Sequence, residues 1–149
     1  MSLTVLFSRK AEIALKAALL LATKDTEELV DVTNIASELQ IPKMFAAKVL
    51  QQLALAGIIG SKKGKKGGFF LPEGGEKVKL IKILEVIDGL DFFNRCVFGF
   101  PNCSDEHPCP VHNHWGKIRK DIYDMLSNLS IGDVKENTLS KLESIKDFV

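Results

Sequence analysis

The sequence predicts a mainly α fold with a small β-wing, a winged helix-turn-helix, and three observations carry that expectation. Two short helical stretches meet at Ile41-Pro42, and a glycine- and lysine-rich segment between two apolar pairs follows them directly. Residues 39 to 72 hold six lysines and no acid, while all 19 acidic residues lie elsewhere, a separation that the net charge of +1 conceals. A charge run alone is only a solvated face; the elements around this one give it a use. With 149 residues and 46% hydrophobic side chains, the chain is long enough to close one globular core.

From Ser8 to Thr23, apolar Ile13, Ala14, Ala17, Ala18, Leu20 and Leu21 recur with a period near 3.6, which predicts an amphipathic helix. Arg9, Lys10, Glu12 and Lys16 interrupt the same run. A signal peptide or membrane span needs an uncharged stretch, so the expectation is a cytoplasmic protein with no membrane partner. Thr33 is the predicted cap of a second helix, Asn34 to Gln40, with Ile35, Ala36 and Leu39 facing inward. The residue before a proline is pushed out of the α region, whereas a proline suits a first helical turn; Ile41-Pro42 therefore ends one helix and opens the next. That third helix should run from Lys43 to Ala56 and stop at Gly57. Two short helices joined by a tight turn fit a DNA-reading unit, with Lys43, Met44, Lys48, Gln51 and Gln52 as the candidate readers on the second. Glutamine pairs bidentately with adenine, and lysine reaches guanine or phosphate.

Ile58-Ile59 should begin a strand and Phe69-Phe70-Leu71 its partner, leaving Lys62, Lys63, Lys65 and Lys66 on the turn between them. Four lysines at a hairpin tip suit phosphate contacts or a narrow minor groove. Val78 to Gly89 again reads as a helix.

Next comes CVFGFPNCSDEHPCPVHNHW, which contains every cysteine and histidine of the chain. In a reducing compartment clustered cysteines point to a metal site or a reactive thiol rather than to disulfides. The spacing is Cys96-x6-Cys103-x5-Cys109-x2-His112, and it lacks the CxxC knuckle that begins most structural zinc sites. Thiolates select zinc, iron-sulfur clusters or copper(I). The loose spacing favours a cluster, whose binding points stand several ångströms apart; zinc and free redox-active thiols remain the alternatives. Phe92, Phe93, Phe98 and Phe100 would either shield such a centre or fill a small core, and Trp115 reads as a packing anchor between this loop and the wing-side core. His107 and His114 read as solvent-facing. In the tail, Leu139, Leu142, Ile145 and Phe148 have helical spacing. An enzyme is not expected: there is no Ser/His/Asp set, and the glycine-rich loop lacks the GxxxxGK pattern that cradles nucleotide phosphates.

SRKAEIALKAALLLA, the block DVTNIASELQIPKMFAAKVLQQLALAGIIGSKKGKKGGFFL, and the three-cysteine loop with Cys109-x2-His112 and Trp115 together resemble the Rrf2 family of bacterial transcription regulators, from about Ser8 to Val134. The resemblance implies a winged-helix homodimer on a palindromic site in double-stranded promoter DNA, acting as a repressor. It also implies a long C-terminal dimerisation helix, here Val111 to Asn128, and an iron-sulfur cluster that tunes DNA affinity. Residues 1–90 would then be the DNA-binding domain, 91–112 the cluster loop and 113–149 the dimerisation and C-terminal helices. Cys96, Cys103 and Cys109 match the family's ligand cysteines, with one extra residue between the first two. The fourth ligand divides the family. His112 matches the histidine of IscR-like members, which hold a two-iron two-sulfur cluster, and is preferred here. Glu12 matches the acidic residue of NsrR-like members, which reaches across the dimer, and keeps a four-iron four-sulfur cluster as the alternative.

Overall fold

The computed structural model describes residues 6–146. In chain order these form α1 (Arg9–Ala22), α2 (Val32–Leu39), α3 (Lys43–Leu55), β1 (Gly60–Lys62), β2 (Gly68–Phe70), α4 (Leu80–Asp88), α5 (His112–Asn128) and α6 (Lys135–Lys146). The mainly helical class with a small two-stranded wing is the one the sequence predicts. No helix among the described residues is long and apolar enough to cross a membrane.

The first helix is the centre of the core. Its buried stripe, Ala11, Ile13, Ala14, Ala17, Ala18, Leu20, Leu21 and Ala22, is rich in alanine. Small side chains let α3 and α4 approach closely on one side and α6 on another. Ser8 caps this helix by accepting from the Ala11 N–H at 3.0 Å, and its own N–H donates to the Asp88 carboxylate at 3.1 Å. The start of α1 is thereby tied to the end of α4. Ile35, Val49, Leu50, Leu53, Ile83 and Leu84 close the core around it, all essentially buried. Each such side chain contributes about 1.5–3 kcal/mol of transfer free energy.

The second helix starts two residues earlier than expected. Asp31, not Thr33, is its cap, accepting from the Asn34 N–H at 2.8 Å. A carboxylate placed at the cap satisfies a free helix N–H and meets the positive end of the helix dipole. At the other end Gln40 takes a left-handed conformation, φ 57°, and the Ile41 N–H reaches back to the Ala36 carbonyl at 3.0 Å. This is the left-handed closure of a helix C-terminus, and it turns the chain into Pro42 and α3. The third helix ends at Leu55, one residue short of expectation, and turns at Gly57, φ 79°.

The wing also begins later than the apolar pairs suggest. Ile58 and Ile59 are buried below the strand, because the Ile58 N–H is spent on the Leu53 carbonyl in closing α3. The ladder instead pairs Gly60 with Phe70, Ser61 with Phe69 and Lys62 with Gly68. A Cβ at Gly60 would stand 2.2 Å from the Phe70 ring, so only glycine fits under that aromatic. Phe69 carries a second pairing on its far side, exchanging hydrogen bonds of 2.8 and 2.9 Å with Val30. Leu71 leaves the ladder and accepts from the Glu27 N–H.

The fourth helix starts at Leu80 rather than Val78. Val78 and Lys79 are extended, since the Leu80 N–H donates to the Leu129 carbonyl and the Val78 carbonyl accepts from the Ile131 N–H. That short pairing docks the end of α5 onto the winged part. Beyond it, Ser130 and Asp133 cap each other: the Ser130 N–H donates to the Asp133 carboxylate at 2.8 Å, and the Asp133 N–H donates to the Ser130 hydroxyl at 3.1 Å. The Ser130 N–H and the Ser130 hydroxyl, helped by the Lys79 charge, hold the Asp133 carboxyl below its usual range. The tail helix is present, with Leu142 packed on the core and Leu139 half exposed; Phe148 lies outside the described residues.

Candidate functional site

The outer face of α3 presents a stripe of Met44, Lys48, Gln51 and Leu55, flanked by Lys43, all exposed; Met44 is 79% and Leu55 89% accessible. Their spacing of three and four residues puts them one above another. The opposite stripe, Ala46, Val49, Leu50 and Leu53, is buried. Gln52 stands at the boundary, half-buried, so it is less available than Gln51. Lys62, Lys63, Lys65 and Lys66 are all exposed on the wing. Between Gln51 and the wing runs a groove of about 400 Å³, bounded by Asp31, Val32, Lys62, Lys63 and Lys65. Its single carboxylate is Asp31, already engaged in capping α2. The face is therefore positive and offers two kinds of donor, a flexible ammonium and a planar amide.

The second feature is the loop between α4 and α5. A 3-10 turn over Asp91–Asn94 starts it, and aromatic edges pin it down. Phe92 meets Phe93 at 5.1 Å and Trp115 at 5.9 Å between ring centroids, and Phe93 meets Tyr123 at 5.1 Å. Trp115 also donates its indole N–H to the Arg95 carbonyl at 3.1 Å. It is an anchor, as expected, but its partners are Phe92 and Arg95 rather than the wing-side core. The four phenylalanines divide. Phe92 and Phe93 are half-buried in this cluster, whereas Phe98 and Phe100 are exposed in the isolated chain and shield nothing there.

Within the loop, the Sγ atoms of Cys96, Cys103 and Cys109 lie within 4.8 Å of one another, with Cys96 and Cys109 at 3.6 Å. His112, the first residue of α5, approaches from the Cys103 side, its Nδ1 3.1 Å from Cys103 Sγ. Its Nε2 lies 2.9 Å from the Asp105 carboxylate. A carboxylate on Nε2 keeps the proton there and leaves the Nδ1 lone pair directed at the thiols. Asp105 is the residue that spacing alone does not reveal: it is one acid among several in the loop, and only the fold brings it to His112. Glu12 stands apart from this group and pairs with Arg9 at 3.3 Å within the chain. His107 and His114 are exposed.

The three thiols are not alike. Burial pushes the Cys96 thiol up, but the backbone N–H groups of Phe100 and Phe98, aided by the Cys109 and Cys103 sulfurs, outweigh it and bring its pKa from 9.0 to about 7. Burial pushes Cys109 up as well, and the neighbouring Cys96 and Cys103 sulfurs add to that rise against one N–H from Val111. A thiolate ready at neutral pH, two further thiols and a correctly turned imidazole form a soft donor set of three sulfurs and one nitrogen. Such a set fits zinc, iron or an iron-sulfur cluster.

Comparison with known proteins gives the family and the fold. A family model described as Rrf2, iron-dependent transcriptional regulator, matches residues 7–137. The transcriptional regulator NsrR of Bacillus licheniformis is 31% identical over 128 residues, covering 83% of this chain and 87% of that protein. Among solved structures, CymR, the global cysteine regulator of B. subtilis, superposes with a TM-score of 0.70 at 22% identity, covering 91% of this chain and 98% of the other. IscR of T. potens gives a TM-score of 0.68 at 22% identity, covering 92% of this chain and 89% of the other.

Proposed function

The chain belongs to the Rrf2 family of transcriptional regulators, which are not enzymes, and on that premise we propose that it is a DNA-binding homodimer whose grip on a promoter is tuned by an iron-sulfur centre in the α4–α5 loop. The observation that carries this reading is the gathering of Cys96, Cys103, Cys109 and His112 at the N-terminus of α5. These residues sit where the winged part of the chain meets its longest helix.

In this reading α3 enters a major groove of double-stranded DNA. Lys48 and Gln51 face the base edges, Lys43 and Met44 lie at the N-terminal end, Gln52 stands to the side, and Lys62, Lys63, Lys65 and Lys66 hold flanking phosphates. A palindromic site follows from two copies related by a two-fold axis. The surface that pairs the copies is α5. Ile118 and Met125 stand seven residues apart on one face, the repeat of a two-helix coil, and are about half exposed in the single chain, with Ile122 and Leu129 beside them packed partly on the chain's own core. The three parts assigned from the sequence, residues 1–90, 91–112 and 113–149, then serve to read, to sense and to pair. As a repressor, the dimer would block a promoter until its loop changes state.

Cys96, Cys103, Cys109 and His112 would hold the centre, two-iron two-sulfur being preferred for a set with one imidazole and four-iron four-sulfur being the form that Glu12 of a second copy would complete. A bound cluster supplies one-electron chemistry and reactivity toward oxygen or nitric oxide. The protein's part is mechanical. Cys96 lies on the chain leaving α4, just past a turn whose Phe92 and Phe93 pack on Trp115 and Tyr123 of α5, and His112 begins α5, so a change in how the two are held would alter the angle between the reading and pairing elements. A coupling of about 1–3 kcal/mol suffices for a switch.

The second reading is a single zinc ion. Sulfurs about 2.3 Å from one tetrahedral metal stand roughly 3.8 Å apart, and the Cys96–Cys109 separation of 3.6 Å is at that spacing. Purification without oxygen separates the two. Visible absorption with iron and sulfide on analysis supports the cluster; a colourless protein with stoichiometric zinc overturns it. In the coloured protein, His112→Ala should change the spectrum and Glu12→Ala leave it intact, and the reverse result moves the fourth ligand to α1.

A further inference from the structure

Between α1, the end of α2 and α6 lies a cavity of about 380 Å³ that plays no part in reading DNA or holding a metal. Leu19, Leu39, Val134, Leu142 and Ile145 make its floor apolar, while exposed Lys16 and Lys141 stand at its rim. Among the described residues no carboxylate lines it, and neither lysine is paired with one. An apolar floor under two free ammonium groups is complementary to one chemistry: a small molecule with a hydrocarbon body and an anionic head. At the roughly 30 Å³ that one water occupies in the liquid, the volume holds about 12 groups of that size.

We propose that this cavity is a binding site for a small apolar carboxylate of medium chain length, a second input distinct from the thiol loop. Its position gives binding a consequence. Leu39 immediately precedes Gln40, the left-handed residue that swings α2 into α3. A ligand seated on Leu39 presses on the turn that sets the attitude of α3, so occupancy alters DNA affinity; that last step rests on the DNA-binding reading above.

Calorimetric titration of the full chain, without DNA, uses decanoate, which has about 12 non-hydrogen atoms, against decanol and decyltrimethylammonium. Decanoate should bind about tenfold more tightly than decanol and the cation still less well, the scale that two exposed ion pairs provide. Lys16→Gln with Lys141→Gln should erase that preference while decanol still binds, and Asn137→Trp, which fills the cavity from the exposed side of α6, should abolish both. Equal affinity for the three probes, or a preference untouched by the double lysine change, overturns the site. Binding seen only in a Phe148→Ala chain overturns it too, because the chain's own end then holds the cavity; so does a change of oligomeric mass in Asn137→Trp, which would give this face to a second copy. If decanoate binds and the chain has no affinity for DNA, the DNA-binding reading fails and the site stands. If the chain binds DNA and decanoate leaves that affinity unchanged, the coupling to α3 is overturned.

Discussion

In the thiol loop the fold brings together Cys96, Cys103, Cys109 and His112, whose types the sequence displays, and it also ranks them. The cysteine spacing was legible because thiols and proline-broken loops are rare enough to be noticed. Nothing in it distinguishes Cys96 from Cys109, since the difference comes from the N–H groups of Phe98 and Phe100 folding back on one sulfur. With its pKa near 7, Cys96 in metal-free protein should be alkylated by iodoacetamide at a rate rising through pH 7, ahead of Cys109, which needs a more alkaline solution. Peptide mass spectrometry of the pH series reads the order directly, and Cys109 reacting first would contradict it. Asp105 is the other residue singled out by contact. Asp105→Asn keeps the size but loses the charge that holds the proton on His112 Nε2, so metal affinity should fall about 10- to 100-fold with the ligand set intact. A competition titration with a chelator measures this; unchanged affinity would make the Asp105 contact incidental.

At the level of elements, the helices were the readable part and their ends were not. Burial at a period of 3.6 gave α1, α3 and α4 to within two residues, because a core-facing stripe is written directly in residue order. Ends depend on who takes the free N–H groups. Asp31 outcompeted Thr33 for α2, and the Leu129 and Ile131 backbone held Val78 out of α4. The wing shifted for the same kind of reason, with Ile58 spent on closing α3. Its lysines nevertheless stand where the sequence put them, exposed and unopposed. Replacing Lys62, Lys63, Lys65 and Lys66 together by alanine should weaken binding to all duplexes and flatten the salt dependence by about 0.9 for each phosphate no longer neutralised. Gln51→Ala should instead cost about 1–3 kcal/mol at particular base pairs and little elsewhere. Fluorescence anisotropy across salt concentrations and operator variants distinguishes them; a wing variant with the wild-type salt slope would take the hairpin off the DNA.

For the whole molecule, the seam along α5 is the feature with the largest expected effect. Ile118 is 53% exposed on that stripe, so Ile118→Glu should leave the monomer fold intact while placing two like charges against each other in the proposed dimer. Sedimentation should then show a monomer, and operator affinity should drop sharply because the two reading helices lose their fixed spacing. A variant that remains dimeric would move the interface off α5. The proposed pairing helix enters the sequence reading only through the family resemblance, which implies it over Val111 to Asn128 and names no face of it. It takes the fold to show that just Leu126 of α5 is buried in the chain itself. The thiol loop, finally, differs from the wing in the order of its assembly. All four donors from Cys96 to His112 come from 17 consecutive residues, whereas the wing is completed by Val30 reaching Phe69 across 39. Closing the shorter segment costs less chain entropy. On the proposed reading, a metal would therefore gather these four residues on a chain still emerging from synthesis, and the first turn of α5 would be nucleated where His112 is held.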